Sequence, residues 1–412
     1  MNQATDIGQR IMQRADELAL CTETPGMLTR TYLSAAHRNA AELLAQWMRD
    51  AGMNVRRDVA GNVIGRYEGI APDAPALLTG SHFDTVRNAG KYDGNLGILL
   101  PIACVAEWHR QGRRFPFAIE VIGFAEEEGV RFKATLLGSR ALAGNFDMAV
   151  LNRHDAQGST MREAMSAVGL DANTLPQAAY PREKALAYLE VHIEQGPVLL
   201  DEQLPVGVVT AISGASRFCI NVNGLAGHAG TVPMDSRRDA AMAAAEIGLY
   251  IEKRCSGVPG LVGTVGQFDV PDGAANVIPG KAVFTIDIRA ETDDVRLAAV
   301  RDVLDEMKRI AARRRVTLEI NQTHEASSVP CASWLQDQLA QAIAGLGMRV
   351  RRLPSGAGHD AMAVAALTDV AMLFVRCGNG GISHHPDECM SADDARVAAD
   401  IFSRFVEHFA EP

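Results

Sequence analysis

Four times along this 412-residue chain a short apolar run gives way at once to a cluster of histidines and carboxylates. Ala76–Leu78 leads into GSHFDTVRNAGKYDGNLG (80–97), and Pro116–Phe124, apolar save for Glu120, leads into Ala125-Glu126-Glu127-Glu128-Gly129. Leu186–Ile193 carries His192 and closes on Glu194-Gln195-Gly196-Pro197, while Ala371–Val375 precedes Gly381-Ile382-Ser383-His384-His385-Pro386. Runs of this length read as buried strands, and α/β folds place their chemistry just beyond strand ends. A single cluster of this sort is most simply a polar loop. Four of them favour one shared site.

The residue types narrow what that site does. Neutral imidazole and carboxylate are the usual ligands of a hydrolytic zinc centre, which points to His82 and Asp93. Asp84, two residues beyond His82, is placed to accept the other ring N–H and so fix the tautomer. Three adjacent glutamates repel one another at a strand end, and a cation between the converging strands relieves that repulsion. One glutamate then binds metal while its neighbour carries a proton. In the strand Leu186–Ile193, alternation sets Glu190, His192 and Glu194 on one face.

The rest of the chain supplies a frame. Ile7–Leu20 reads as an amphipathic helix, Ala36–Ala51 as a helix stopped at Gly52, and Asn54–Val59 and Asn62–Tyr67 as strands turned by Ala60-Gly61. A helix is expected from about Leu96 to Arg110, and another over Cys331–Leu346. Between residues 213 and 329 the texture changes. There the expected order is strand Arg217–Asn223, helix Asp235–Arg254, strand Leu261–Phe268, strand Lys281–Arg289, helix Thr292–Arg313 and strand Val316–Gln322. That β-α-β-β-α-β order is an open-faced sandwich, inserted into an α/β domain made of residues 1–212 and 330–412.

Composition excludes several classes. A formal charge of −10 argues against nucleic acid or an anionic membrane as partner. Nothing approaches a membrane span, and no signal peptide opens the chain. Seven scattered cysteines without a C-x-x-C pair fit reduced thiols and a cytoplasmic location.

Taken together, GSHFDTV…KYDGNLG, FAEEEG, VHIEQGP, GHAGTVPMDSRRDA, NVIPG, SGAGHDAM and ISHHP resemble the allantoate amidohydrolase and N-carbamoyl-L-amino-acid hydrolase family, a branch of the two-metal aminopeptidases and deacylases. The resemblance implies a metallopeptidase-like α/β catalytic domain, an inserted α+β lid and dimerisation domain, and a homodimer. It makes His82, Asp93, Glu128, His192 and His384 ligands of two divalent ions (zinc, manganese, cobalt or nickel), with Asp93 bridging. It makes Glu127 the general base, His228 the donor to a tetrahedral oxyanion, and Asp84 the support behind His82. Arg289 is expected to grip a substrate carboxylate bidentately, with Gln195, Arg217, Asn276, Gly358 and His359 completing the substrate pocket. Related peptidases commonly have an acidic residue where this chain has His192, a departure that marks the amidase branch.

The implied reaction is hydrolysis of the terminal ureido group of a small carboxylic acid, with release of ammonia and carbon dioxide. Allantoate is the first expectation, ahead of N-carbamoyl-L-amino acids and 3-ureidopropionate. Peptide or acyl-amino-acid hydrolysis is disfavoured by His192, and a metal-free binding protein by the completeness of the ligand set. His37, His109, His154, His324 and His408 are expected to be structural, and His385 only a neighbour of His384.

Overall fold

The computed structural model describes residues 6–411. The chain folds into two compact units, the second made of Ala211–Pro330 and Pro354–Ala357 and the first of the remainder. Five strands precede the second unit, β1 (Asn54–Arg57), β2 (Val63–Tyr67), β3 (Ala76–His82), β4 (Ala118–Phe124) and β5 (Ala185–Ile193), and β6 (Val206–Ile212) runs into its first residues. Within the second lie β7 (Gly214–Asn223), β8 (Gly227–His228), β9 (Leu261–Thr264), β10 (Phe268–Asp269), β11 (Val277–Ile278), β12 (Lys281–Ala290) and β13 (Thr317–Ala326). The chain continues through β14 (Val329–Pro330), β15 (Arg352–Ser355) and β16 (Val370–Val375).

The large sheet runs β1-β2-β4-β3-β5-β16-β6-β14, with β15 beside β6. Its four central strands are mutually parallel: β3 pairs with β4 and β5, and β16 with β5. Parallel strands are covered on both faces and so need continuous apolar runs. Every residue of β3, β4 and β16 is buried. Their register brings their C-terminal ends to one edge, where His82 lies opposite Phe124 and His192 opposite Phe374. The four clusters seen in the sequence share that edge. The helix Leu96–Arg110 follows Asp93 with eleven buried residues, Pro101 among them. Its Asn95 cap makes no capping bond and instead accepts from the buried Arg30.

In the second unit β12 shows strict two-residue alternation of burial, as a sheet covered on one face demands. The inward set Ala282, Phe284, Ile286 and Ile288 packs with Phe218, Ile220 and Val222 of β7 and with the helices Ala240–Cys255 and Asp293–Arg314. The sheet order is β10-β12-β7-β13 with β9 also on β12, an open-faced sandwich. Several boundaries differ from expectation: β7 begins at Gly214, β13 runs on to Ala326, and the helix expected over Cys331–Leu346 spans Ser333–Ala344. The helix expected from Asp235 begins at Ala240, because Asp239 caps it by accepting from the Met242 N–H. The strand expected over Leu261–Phe268 is broken into β9 and β10 around Val265-Gly266-Gln267. All seven cysteines are free thiols, and among the described residues no helix is long and apolar enough to cross a membrane.

Candidate metal centre

Asp93 is the hub of the edge where the parallel strands end. It is buried, and its two carboxylate oxygens face different partners. Oδ1 lies 3.3 Å from His192 Nε2 and 3.7 Å from His82 Nε2. Oδ2 lies 3.1 Å from His384 Nε2, which is itself 3.6 Å from Glu128 Oε1. His82, Asp93 and His192 thus form one close group of donor atoms, and Asp93, Glu128 and His384 a second.

This donor set fits divalent ions. Ligands about 2.0–2.1 Å from a tetrahedral ion stand roughly 3.3–3.4 Å from one another, within the spread of the separations above. His192 gives the sharper test. Its Nδ1 donates to the Ile193 carbonyl at 2.9 Å, so Nε2 is unprotonated, with its single lone pair near the Gly94 N–H at 3.2 Å and the electron-rich Asp93 Oδ1 only 3.3 Å away. Burial lowers the His192 pKa to about 4, so a proton does not relieve that repulsion at neutral pH. A cation between them does. Burial would raise Asp93, but His384 and His82 hold it well below the ordinary carboxylate range. The hydrogen bond to Asp93 raises His384 to about 9. Protons therefore sit where positive charge is favoured, and a metal would displace them.

The loops are shaped for close approach. Gly94 has φ +66, and a Cβ there would strike the His82 ring at 2.5 Å. Gly381, at φ +80, brings the His384 loop against the Gly196 backbone. Gln195 and His384 themselves take left-handed backbone at φ +56 and +55, a strain typical of sites that hold a geometry for function.

Among the glutamates the three neighbours separate. Glu126 is buried, with Oε1 accepting the Gly129 N–H at 2.6 Å. Glu127 and Glu128 are partly accessible and group with His82. Burial, then the Glu128 charge, pushes Glu127 well above its ordinary range, while burial and Asp93 raise Glu128 to about 7. Asp84 orders both. Its Oδ1 accepts the Glu127 N–H at 2.9 Å and its Oδ2 the Glu128 N–H at 3.1 Å. Asp84 was expected to hold His82 through its carboxylate. The nearer partner of His82 Nδ1 is instead the Asp84 carbonyl at 3.1 Å, with Oδ1 at 3.4 Å.

The remaining expected residues divide between the units. In the first, Gln195 Nε2 donates to Asp93 Oδ2 at 3.1 Å, so it engages the candidate ligand itself. His359 is buried edge-on against the His192 ring, and a Cβ on Gly358 would stand 3.9 Å from Glu127 Oε1. Glu194, grouped with His192 by alternation, turns away to accept the N–H groups of Val198 and Leu199. Glu190 stays, accepting from Ser81 Oγ and the Ala361 N–H.

In the second unit His228 is exposed on β8 and its Nδ1 accepts the Gly230 N–H. The Asn276 carbonyl accepts the Ala229 N–H, closing that loop. Arg217 and Arg289 lie on the helix-free face of the sheet. Arg289 does not present an open fork, since both Nε and Nη2 are engaged by Asp287. His37, expected to be structural, is buried with Nε2 donating to the Ala125 carbonyl.

Sequence reasoning missed Glu388. This buried side chain accepts the N–H groups of Tyr92 (2.9 Å) and Asp93 (3.1 Å) on Oε1, and lies 2.8 Å from Ser383 Oγ on Oε2. It fastens the Asp93 loop to the His384 loop. Its one sequence trace is a carboxylate four residues past His384 in a proline-containing loop.

Comparison with known proteins agrees with this architecture. The signature of peptidase family M20/M25/M40 matches residues 78–408. A probable allantoate deiminase of Oryza sativa subsp. japonica is 41% identical, the match covering 96% of this chain and 87% of that one. An N-carbamoyl-L-amino acid amidohydrolase of Geobacillus stearothermophilus is 40% identical over 98% and 99% of the two chains. The crystal structure of a hydantoinase/carbamoylase family amidase from Burkholderia multivorans superposes with a TM-score of 0.91 at 31% identity, covering 97% of each. The chain belongs to peptidase family M20/M25/M40, within the amidase branch that its motifs resemble. It is a hydrolase of the amidohydrolase type.

Proposed function

We propose that the protein hydrolyses the terminal ureido amide of a small carboxylic acid, releasing ammonia and carbon dioxide, with allantoate as substrate and N-carbamoyl-L-amino acids as the alternative. The observation that carries the reading is Asp93, whose two oxygens face two separate sets of nitrogen and oxygen donors. The names of the relatives support the ureido class. In this reading His82, His192 and Asp93 would hold one divalent ion, and Asp93, Glu128 and His384 a second. Such ions supply Lewis acidity, which a poorly electrophilic ureido carbonyl needs.

The chain's own residues supply the rest. Glu127, free of the ligand set and raised in pKa by burial, takes the proton of the attacking water and passes it to the departing nitrogen. Asp84 holds that glutamate and the ligand beside it by their backbone N–H groups. His228 donates to the developing oxyanion. Arg217 recognises the carboxylate, Arg289 adding positive charge beside it through their shared partner Asp287, and Gln195, Asn276, Gly358 and His359 complete the pocket. The same reading makes the protein a cytoplasmic homodimer.

The test is a substrate panel with the metal-loaded enzyme. Ammonia release from allantoate or N-carbamoyl amino acids, with none from dipeptides, is expected. Cleavage of dipeptides without ureido hydrolysis would overturn it.

A further inference from the structure

The helix-free face of the second unit carries a charged ladder. Its register sets His324, Arg217, Asp287 and Thr264 side by side on β13, β7, β12 and β9, with Arg289 two residues along the same face of β12. Asp287 joins the two arginines. Its Oδ1 accepts Arg289 Nε at 3.0 Å, and its Oδ2 accepts Arg289 Nη2 at 2.8 Å and Arg217 Nε at 3.0 Å. Arg289 Nη1 donates to the Gly356 carbonyl at 2.7 Å, so each of its three nitrogens has a partner. Arg217 is different: beyond Nε, its two terminal nitrogens have no partner among the described residues. Arg217 lines a cavity of about 560 Å³ together with Thr264, Thr285, Asp287, Arg289 and Thr323.

This geometry limits the ligand. Two guanidiniums and one carboxylate leave the ladder with a net charge of +1. One carboxylate on a ligand cancels that charge through the open end of Arg217. A second brings uncompensated negative charge beside Asp287, and like charges so placed disfavour binding.

We infer that Asp287 is a specificity-determining positioning residue: it clamps Arg289, aims Arg217, and restricts the site to ligands bearing a single carboxylate. The inference rests on the ureido-acid reading above and adds to it the charge class of the substrate.

The test compares wild type, Asp287→Asn and Asp287→Glu as full-length, metal-loaded enzymes. The probes are N-carbamoylglycine, with one carboxylate, and N-carbamoyl-L-aspartate, with two, and ammonia release gives kcat/KM for each. Wild type is expected to prefer the monoanion. In Asp287→Asn that preference should shrink about tenfold or more, chiefly through KM, because the amide keeps the shape and removes the charge. Asp287→Glu keeps the charge and should keep the preference. Metal content and Tm should be alike in all three. A preference unchanged in Asp287→Asn, with wild type active, overturns the role of Asp287 alone. A wild type that prefers the dianion overturns this inference alone, and one silent on both probes and on allantoate sinks the ureido-acid reading and this inference with it.

Discussion

Replacing Asp84 by asparagine removes one charge and almost no volume, yet it strikes both Glu127 and Glu128. The carboxylate is buried and accepts the N–H groups of Glu127 and Glu128, one on each oxygen. Hydrogen bonds to a charged group contribute about 1.5–3 kcal/mol each, so the pair is worth ~3–6 kcal/mol. An asparagine has one acceptor oxygen for the two donors. One bond survives as a neutral one of about 1 kcal/mol, and the other N–H is left facing an amide NH2. The net loss is therefore ~2–5 kcal/mol, divided between folding and the order of the Glu127–Glu128 turn. Loss of a group that orients metal ligands typically weakens metal affinity about 10–100-fold. Competition against a chromogenic chelator reads that directly, and kcat on the best ureido acid reads the displaced Glu127. Asp84→Asn should weaken at least one metal site about tenfold or more and lower kcat. A variant with wild-type metal affinity and wild-type kcat would refute the argument that Asp84 holds this turn.

Three further outcomes follow from the same geometry. Glu127→Gln should keep its metal content and lose most turnover, whereas Glu128→Gln should lose metal; metal analysis beside kcat shows whether the two roles are exchanged. Glu388→Ala should weaken metal binding about 10–100-fold by loosening the Asp93 loop from the His384 loop, while Glu388→Gln, which can still accept from the backbone, should retain most of the affinity. Chelator competition separates the two, and equal affinity in Glu388→Ala would remove Glu388 from the centre. His37 sets a pH dependence: burial lowers its pKa to about 4, whereas the unfolded chain protonates near about 6.5. The unfolded state then binds more protons between those values, so stability falls as pH falls through that window, by roughly 3 kcal/mol in all. Urea denaturation at several pH values should show that His37→Gln flattens this slope, and an unchanged slope would contradict it.

The sequence made the architecture legible because burial leaves a plain mark. Strands covered on both faces must be apolar throughout, so β3, β4 and β16 stood out as runs, and their polar exits marked the edge where the site lies. The alternation of β12 likewise marked a sheet covered on one face. Partnerships made by loops left no such mark. Glu388 acts through two backbone N–H groups almost 300 residues away in the chain, which no local pattern encodes. Arg289 read as an open fork, because nothing in a linear sequence says that Asp287 occupies it. Alternation also put Glu194 beside His192, but Glu194 lies past the end of β5, where the chain turns and the alternation stops.

The central claim is that Asp93 joins two ion sites whose joint occupancy drives amide hydrolysis. Metal-free protein titrated with a single divalent ion, with bound metal and ammonia release from allantoate or an N-carbamoyl amino acid followed together, tests it most directly. Binding should saturate at two ions per chain, with activity complete only as the second is bound. Full activity at one ion per chain, or in the metal-free protein, would contradict it.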